Sequence, residues 1–113
     1  MPVLKFDEIP YEAVRKGLQR KIIHEKELMT VLLDFTDGPW EEKEPPHHHP
    51  HEQTSYIAKG EIIFYCEDEP DQHLKEGDMF VVPSGKMHTI KLLTKEARLV
   101  DSFTPLRRDF LEK

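Results

Sequence analysis

Four of the chain's histidines fall within five positions, at His47, His48, His49 and His51, and another, His88, follows a Pro83-Ser84-Gly85 turn. Neutral imidazole is the commonest protein ligand for borderline divalent metals. On an extended strand His47 and His49 would share one face about 6.6 Å apart. Gln53 could add an amide oxygen, and His88 could close the site from a neighbouring strand. His48 and His51 compete for the same role, as Glu52 does with Gln53. The set reads as a site for one divalent ion, with zinc, nickel, iron or manganese all compatible with imidazole-rich ligation. A tag-like surface tract fits less well, because this one is internal, broken by Pro50 and matched by a downstream Gly77…Pro83…Gly85…His88 unit. His24 and His73 lack companions and read as ordinary surface or strand residues.

Two ligand segments must be brought together, and the rest of the chain suggests strands. Short runs rich in Val, Ile, Leu and Phe occur at 19–24, 28–35, 54–58, 61–67, 79–82, 88–93 and 98–103, separated by Gly, Pro, Asp and Glu clusters. Many short strands at this spacing predict an all-β sandwich or small barrel. Residues 7–18 read as one short helical turn ending at Gly17. Glu41–Pro46 reads as a polar, solvated loop leading into the histidines, and Trp40 beside it either packs or covers the barrel mouth. Alternation places His88, Ile90 and Leu92 on one face, and Leu99, Asp101 and Phe103 on another. Each apolar face then carries one polar group, His88 or Asp101. Burying such groups without partners is costly; a metal and a bound substrate would supply partners.

Length and composition limit the possibilities. At 113 residues the chain is one domain, 1–113, with no room for a second core. The net charge of -6, with basic residues scattered, argues against a nucleic-acid surface. No apolar run approaches the roughly 20 residues of a membrane span, and the first residues carry no signal-peptide core. The lone Cys66 excludes an internal disulfide and fits a cytoplasmic protein. It reads as a small packed apolar residue rather than a nucleophile.

The two units, His47-x-His49-x-x-x-Gln53-x6-Gly60 and Gly77-x5-Pro83-x-Gly85-x2-His88, resemble the paired motifs of the cupin superfamily. Most cupins have Glu where Gln53 stands. The glycine usually six residues before the first histidine is missing; Gly38 lies further upstream, implying an insertion around residues 40–44. The resemblance implies a single jelly-roll-type β-barrel with a metal in its interior, often dimeric. A narrower likeness spans nearly the whole chain. Gly17-Leu18-Gln19-Arg20-Lys21, Glu27-Leu28-Met29, His49 to Gln53 and Asp101 to Leu111 resemble the KdgF family of pectin-degradation proteins.

That family implies conversion of 4,5-unsaturated uronates, released by pectin or alginate lyases, to linear 5-keto-4-deoxyuronate. By the same resemblance the metal falls on His47, His49, Gln53 and His88. Asp101 becomes the catalytic carboxylate, Phe103 lines the site and Arg107 lies near a small sugar-acid substrate, in a homodimer. The chemistry suits these residues. Three neutral imidazoles and a neutral amide leave a divalent ion its full charge, suited to an anionic substrate and to Lewis-acid work. A carboxylate on an apolar inward face has a raised pKa, as a general acid/base near neutrality requires. Arg107 can hold a carboxylate with two parallel bonds. The histidine motifs alone would equally suit a dioxygenase, a sugar isomerase or a non-catalytic sugar-binding module.

Overall fold

The alternating segments form nine antiparallel strands among the described residues, which are 3–111 of the computed structural model. They are β1 (Glu12–Arg15), β2 (Leu18–His24), β3 (Met29–Phe35), β4 (Glu52–Lys59), β5 (Ile62–Cys66), β6 (Gln72–Leu74), β7 (Met79–Val82), β8 (His88–Leu92) and β9 (Ala97–Thr104). A six-stranded sheet runs in the order β1-β2-β3-β9-β4-β7, and a three-stranded sheet runs β6-β5-β8. The strands thus build a sandwich of two sheets, and no ladder closes them into the continuous barrel expected from the sequence. A one-turn helix, α1 (Arg108–Leu111), follows β9. No helix among the described residues is long and apolar enough to cross a membrane.

The helical turn expected over 7–18 resolves differently. A 3-10 turn occupies Phe6–Glu8, and residues 12–15 form β1 instead. Gly17, at φ +84°, sits in the hairpin between β1 and β2. A glycine at positive φ ends helices and turns hairpins with equal ease, so Gly17 alone could not tell the two apart.

The inner faces hold the core. Leu18, Phe35, Ile57, Ile62, Leu92, Ala97 and Leu99 form one buried cluster. Ile57, Ile62 and Leu92 are wholly removed from solvent, each worth about 1.5–3 kcal/mol of burial. Met29, Val31 and Phe103 form a second cluster, against which Leu106, Phe110 and Leu111 of the C-terminal segment pack. Trp40 is a packing residue rather than a lid: its ring meets Phe35 edge-on at 5.6 Å, and its indole N–H donates to Asp37. Lys21 is buried with its ammonium over the Phe6 and Tyr11 rings, donating to the Phe6 carbonyl.

Residues 40–47 are mostly exposed, yet they are tied to β8. The backbone N–H groups of Trp40 and Glu44 donate to Leu92 and Ile90, and the Thr89 hydroxyl donates to the Glu44 carbonyl. His47 and His88 then exchange both backbone hydrogen bonds, at 3.0 and 2.9 Å. The inserted loop therefore works as an irregular fourth strand at the β8 edge of the small sheet and delivers its histidine to β8.

Candidate metal centre and adjoining cavity

Three links to backbone atoms fix the histidine tract before any imidazole is considered. His47 is bridged to His88, Gly85 N–H donates to the His49 carbonyl at 2.8 Å, and the Ser84 hydroxyl donates to the Pro50 carbonyl at 2.6 Å. The 83–86 turn thus clamps the tract onto the start of β8. His49, Gln53 and His88 are buried, and His47 stands at the more open side. Ligand-capable nitrogens of His47, His49 and His88 all lie within 4.8 Å of one another. The ring centroids of His47 and His88 are 4.3 Å apart, and those of His49 and His88 4.9 Å.

Hydrogen bonding sets which nitrogens are free. His49 Nδ1 faces the His51 carbonyl at 3.0 Å, and His88 Nδ1 faces the Lys86 carbonyl at 2.9 Å. A carbonyl only accepts, so both Nδ1 atoms carry the hydrogen and both Nε2 atoms present a lone pair. His88 Nε2 is buried with no hydrogen-bond partner. His49 Nε2 lies 3.1 Å from Gln53 Oε1. The other end of that amide, Nε2, donates to Ser55 Oγ at 2.8 Å, and the Ser55 hydroxyl donates to Asp101 Oδ1 at 2.6 Å. Two lone pairs therefore face each other across the His49–Gln53 contact, beside a third that is orphaned. A cation resolves all of these contacts at once, and the neutral N/O donor set fits a borderline divalent metal.

The imidazoles are also held in the ligating state. Burial pushes His88 down to about 4, against the bond to the Lys86 carbonyl, with His47, His49 and Arg107 adding repulsion. Burial likewise lowers His47 and His49, and the Arg107 charge acts in the same direction on both. The rival side chains point elsewhere. His48 and Glu52 are exposed, and His51 Nε2–H donates to the Leu106 carbonyl, tying the tract to the C-terminal segment. His24 and His73 are exposed, the latter against Glu61.

Beside the imidazoles lies a cavity of about 210 Å³, lined among others by His47, His88, Gln53, Asp101, Phe103 and Arg107. All seven residues singled out in the sequence come together here, since His49 adjoins Gln53, His88 and Phe103. The cavity is smaller than the roughly 300–1,000 Å³ of drug-sized sites, a scale suited to a monosaccharide. Asp101 is buried on β9, opposite Ser55 in the ladder with β4. Burial drives its carboxyl up to about 7, partly offset by the Ser55 hydrogen bond and the Arg107 charge. Arg107 lies over the Phe110 ring at 4.3 Å and pairs with Asp109 at 2.9 Å. Cys66 is half-buried with its thiol pushed upward by burial, the opposite of an activated nucleophile.

Two residues of the site escaped sequence reasoning. Arg20 lines the same space, held by Glu12 and lying over Phe110 at 4.5 Å. Ser55 joins Gln53 to Asp101. The available signal was parity: Arg20 shares Leu18's face of β2, and Ser55 shares the face of Gln53 and Ile57 on β4.

Comparison with known proteins agrees with this fold. The family model described as the cupin domain matches residues 34–103. The pectin degradation protein KdgF of Dickeya dadantii is 36% identical over 107 residues, covering 93% of this chain and 94% of its own length. The structure of KdgF from Halomonas sp. superposes with a TM-score of 0.83 at 34% identity, covering 94% of this chain and 96% of that one. An RmlC-like cupin from Shewanella frigidimarina superposes at 0.84 with 31% identity, covering 95% and 93%.

Proposed function

The chain belongs to the cupin domain family, and from that premise we propose that it is a metal-dependent enzyme of uronate metabolism. Its reaction converts 4,5-unsaturated uronates to linear 5-keto-4-deoxyuronate. The likeness to the pectin degradation protein KdgF along almost the whole chain supports the substrate class. The observation that carries the chemistry is Asp101, a buried carboxyl at about 7 in the cavity that the imidazole cluster adjoins.

The substrate ring is a vinyl ether conjugated to a carboxylate. Opening it requires a proton at C4, water at C5 and collapse of the hemiketal with cleavage of the C5–O ring bond; no electrons are transferred. Asp101 suits the proton step, because a carboxyl near 7 is populated in both forms at neutral pH. His47, His49, Gln53 and His88 would hold the divalent ion, which supplies Lewis-acid polarisation of substrate oxygen and acidification of water. Arg107, stacked on Phe103 and Phe110, is placed to take the substrate carboxylate in exchange for Asp109. Phe103 walls the cavity and excludes water from around Asp101.

The test follows the ultraviolet absorbance of the conjugated double bond. With metal-loaded protein, 4-deoxy-4,5-unsaturated uronate should lose absorbance faster than in buffer, under zinc or nickel and without oxygen uptake. Arg107→Ala should raise KM by about 10–100-fold, the worth of a charge-assisted hydrogen bond. Binding without turnover across several metals would make the protein a sugar-binding module, and substrate-linked oxygen consumption would make it a dioxygenase.

The homodimer implied by the family has a face available. Tyr56, Met79 and Val81 are exposed side by side on the outer surface of β4 and the edge strand β7. A second copy packed there would bury them. Light scattering should give twice the chain mass for the parent and the monomer mass for Met79→Asp/Val81→Asp; a monomeric parent rejects the pairing.

A further inference from the structure

We propose that Ser55 is a positioning residue that sets the direction of one buried hydrogen-bond chain, and so decides which end of the Gln53 amide faces the imidazoles. The part concerning Asp101 as proton donor rests on the function proposed above; the part concerning the amide does not.

A serine hydroxyl has one hydrogen to give. Ser55 is 3% exposed, and among the described residues its hydroxyl hydrogen-bonds to Asp101 Oδ1 at 2.6 Å and to the Gln53 amide at 2.8 Å. An ionised Asp101 can only accept, so the Ser55 hydrogen goes there. Ser55 must then receive a hydrogen from residue 53, and only the NH2 end of an amide supplies one. Oε1 is thereby turned to His49, whose Nε2 is bare because Nδ1–H is spent on the His51 carbonyl. The carbonyl oxygen joins the imidazole lone pairs through a constraint that begins at Asp101, on another strand. The same contact occupies Oδ1 and leaves Oδ2 as the oxygen that takes up and releases the proton.

This accounts for Gln at a position where the family pattern usually has Glu. A glutamate at 53 would set two carboxylates against one hydroxyl hydrogen, leaving a buried acceptor facing an acceptor. Gln53 and Asp101 are thus a matched pair, with Ser55 enforcing the match. Exchanging the chemistry of the two ends restores it. In Gln53→Glu/Asp101→Asn the amide at 101 donates to Ser55, and Ser55 donates to the carboxylate at 53.

The experiment uses metal-free protein at pH 8 and reads urea midpoints and zinc affinity, so it needs no turnover. Gln53→Glu should lower the midpoint, and Asp101→Asn should raise the midpoint of that variant by clearly more than it raises the midpoint of the parent, giving strong non-additivity. Ser55→Ala should weaken zinc binding by about 10–100-fold, as loss of ligand-orienting partners does. Ser55→Thr, which keeps the hydroxyl, should bind zinc within a few-fold of the parent and guards against a packing defect. Additive midpoints, or zinc affinity unchanged in Ser55→Ala, would overturn the proposal whatever the uronate assay gives. A failed uronate assay with strong coupling would overturn the substrate while leaving the relay in place.

Discussion

Asp101→Asn should lower kcat/KM on the unsaturated uronate by about 10²–10⁴-fold, the usual worth of a positioned general acid. Metal content should be unchanged. Asparagine keeps the shape of the side chain and can still accept the Ser55 hydrogen, so Gln53 keeps its orientation and only the transferable proton is lost. The parent's pH–rate profile should carry an ionisation near 7 that the variant lacks. Stability offers an independent check on the metal-free protein. Asp101 is raised from 3.8 to about 7, so the folded state holds a proton that the unfolded chain has already released. Its contribution is present at low pH and is lost as pH rises through about 4 to 7. Asp101→Asn should abolish that decline, worth on the order of a few kcal/mol, and so gain on the parent at pH 8 relative to pH 4. A variant as fast as the parent in the absorbance assay removes Asp101 from the chemistry.

His88→Ala should abolish metal-linked stabilisation. In the parent, a ligand at about a thousand times its Kd adds about 4 kcal/mol to the folded state, and the variant keeps only part of the donor set. The metal-free comparison should look quite different. His88 Nε2 is buried without a partner, an arrangement costing about 1–3 kcal/mol, so truncation trades lost packing against relief of that cost. Thermal unfolding with and without zinc reads both quantities. The pH limb has the opposite sign to that of Asp101. His88 is lowered from 6.5 to about 4, so its contribution is full above 6.5 and is lost as pH falls toward 4. The variant should be the less acid-sensitive protein. Equal zinc shifts in parent and variant would mean that the ion binds elsewhere.

The all-β cupin architecture was legible in the sequence, apart from its shortest elements and its closure. Strand parity placed His88 and Asp101 on inward faces, and both are buried there. The spacing of His47, His49 and His88 anticipated their convergence, although His47 and His49 lie in an irregular segment held by bridges and not in a regular strand. Short elements were harder to read. β1 and β6 span four and three residues, too few for a period to emerge, and α1 is a single turn packed by Phe110 and Leu111. Closure was not legible either, because alternation reports which face is buried and says nothing about whether the two sheets' edges join. Ser55 was missed for a related reason. Composition marks histidines and carboxylates as chemical, whereas a serine gains its role only from a cross-strand partner, here Asp101 in the β4–β9 register.

The lowered proton affinity of the three imidazoles bears on how the protein would behave as its surroundings turn acid. Histidines in a solvated tract compete with protons near pH 6.5 and shed their ion as the surroundings acidify. Here the lone pairs are already bare, and His88 takes up a proton only near 4. Occupancy should therefore persist through an acid excursion that empties looser sites.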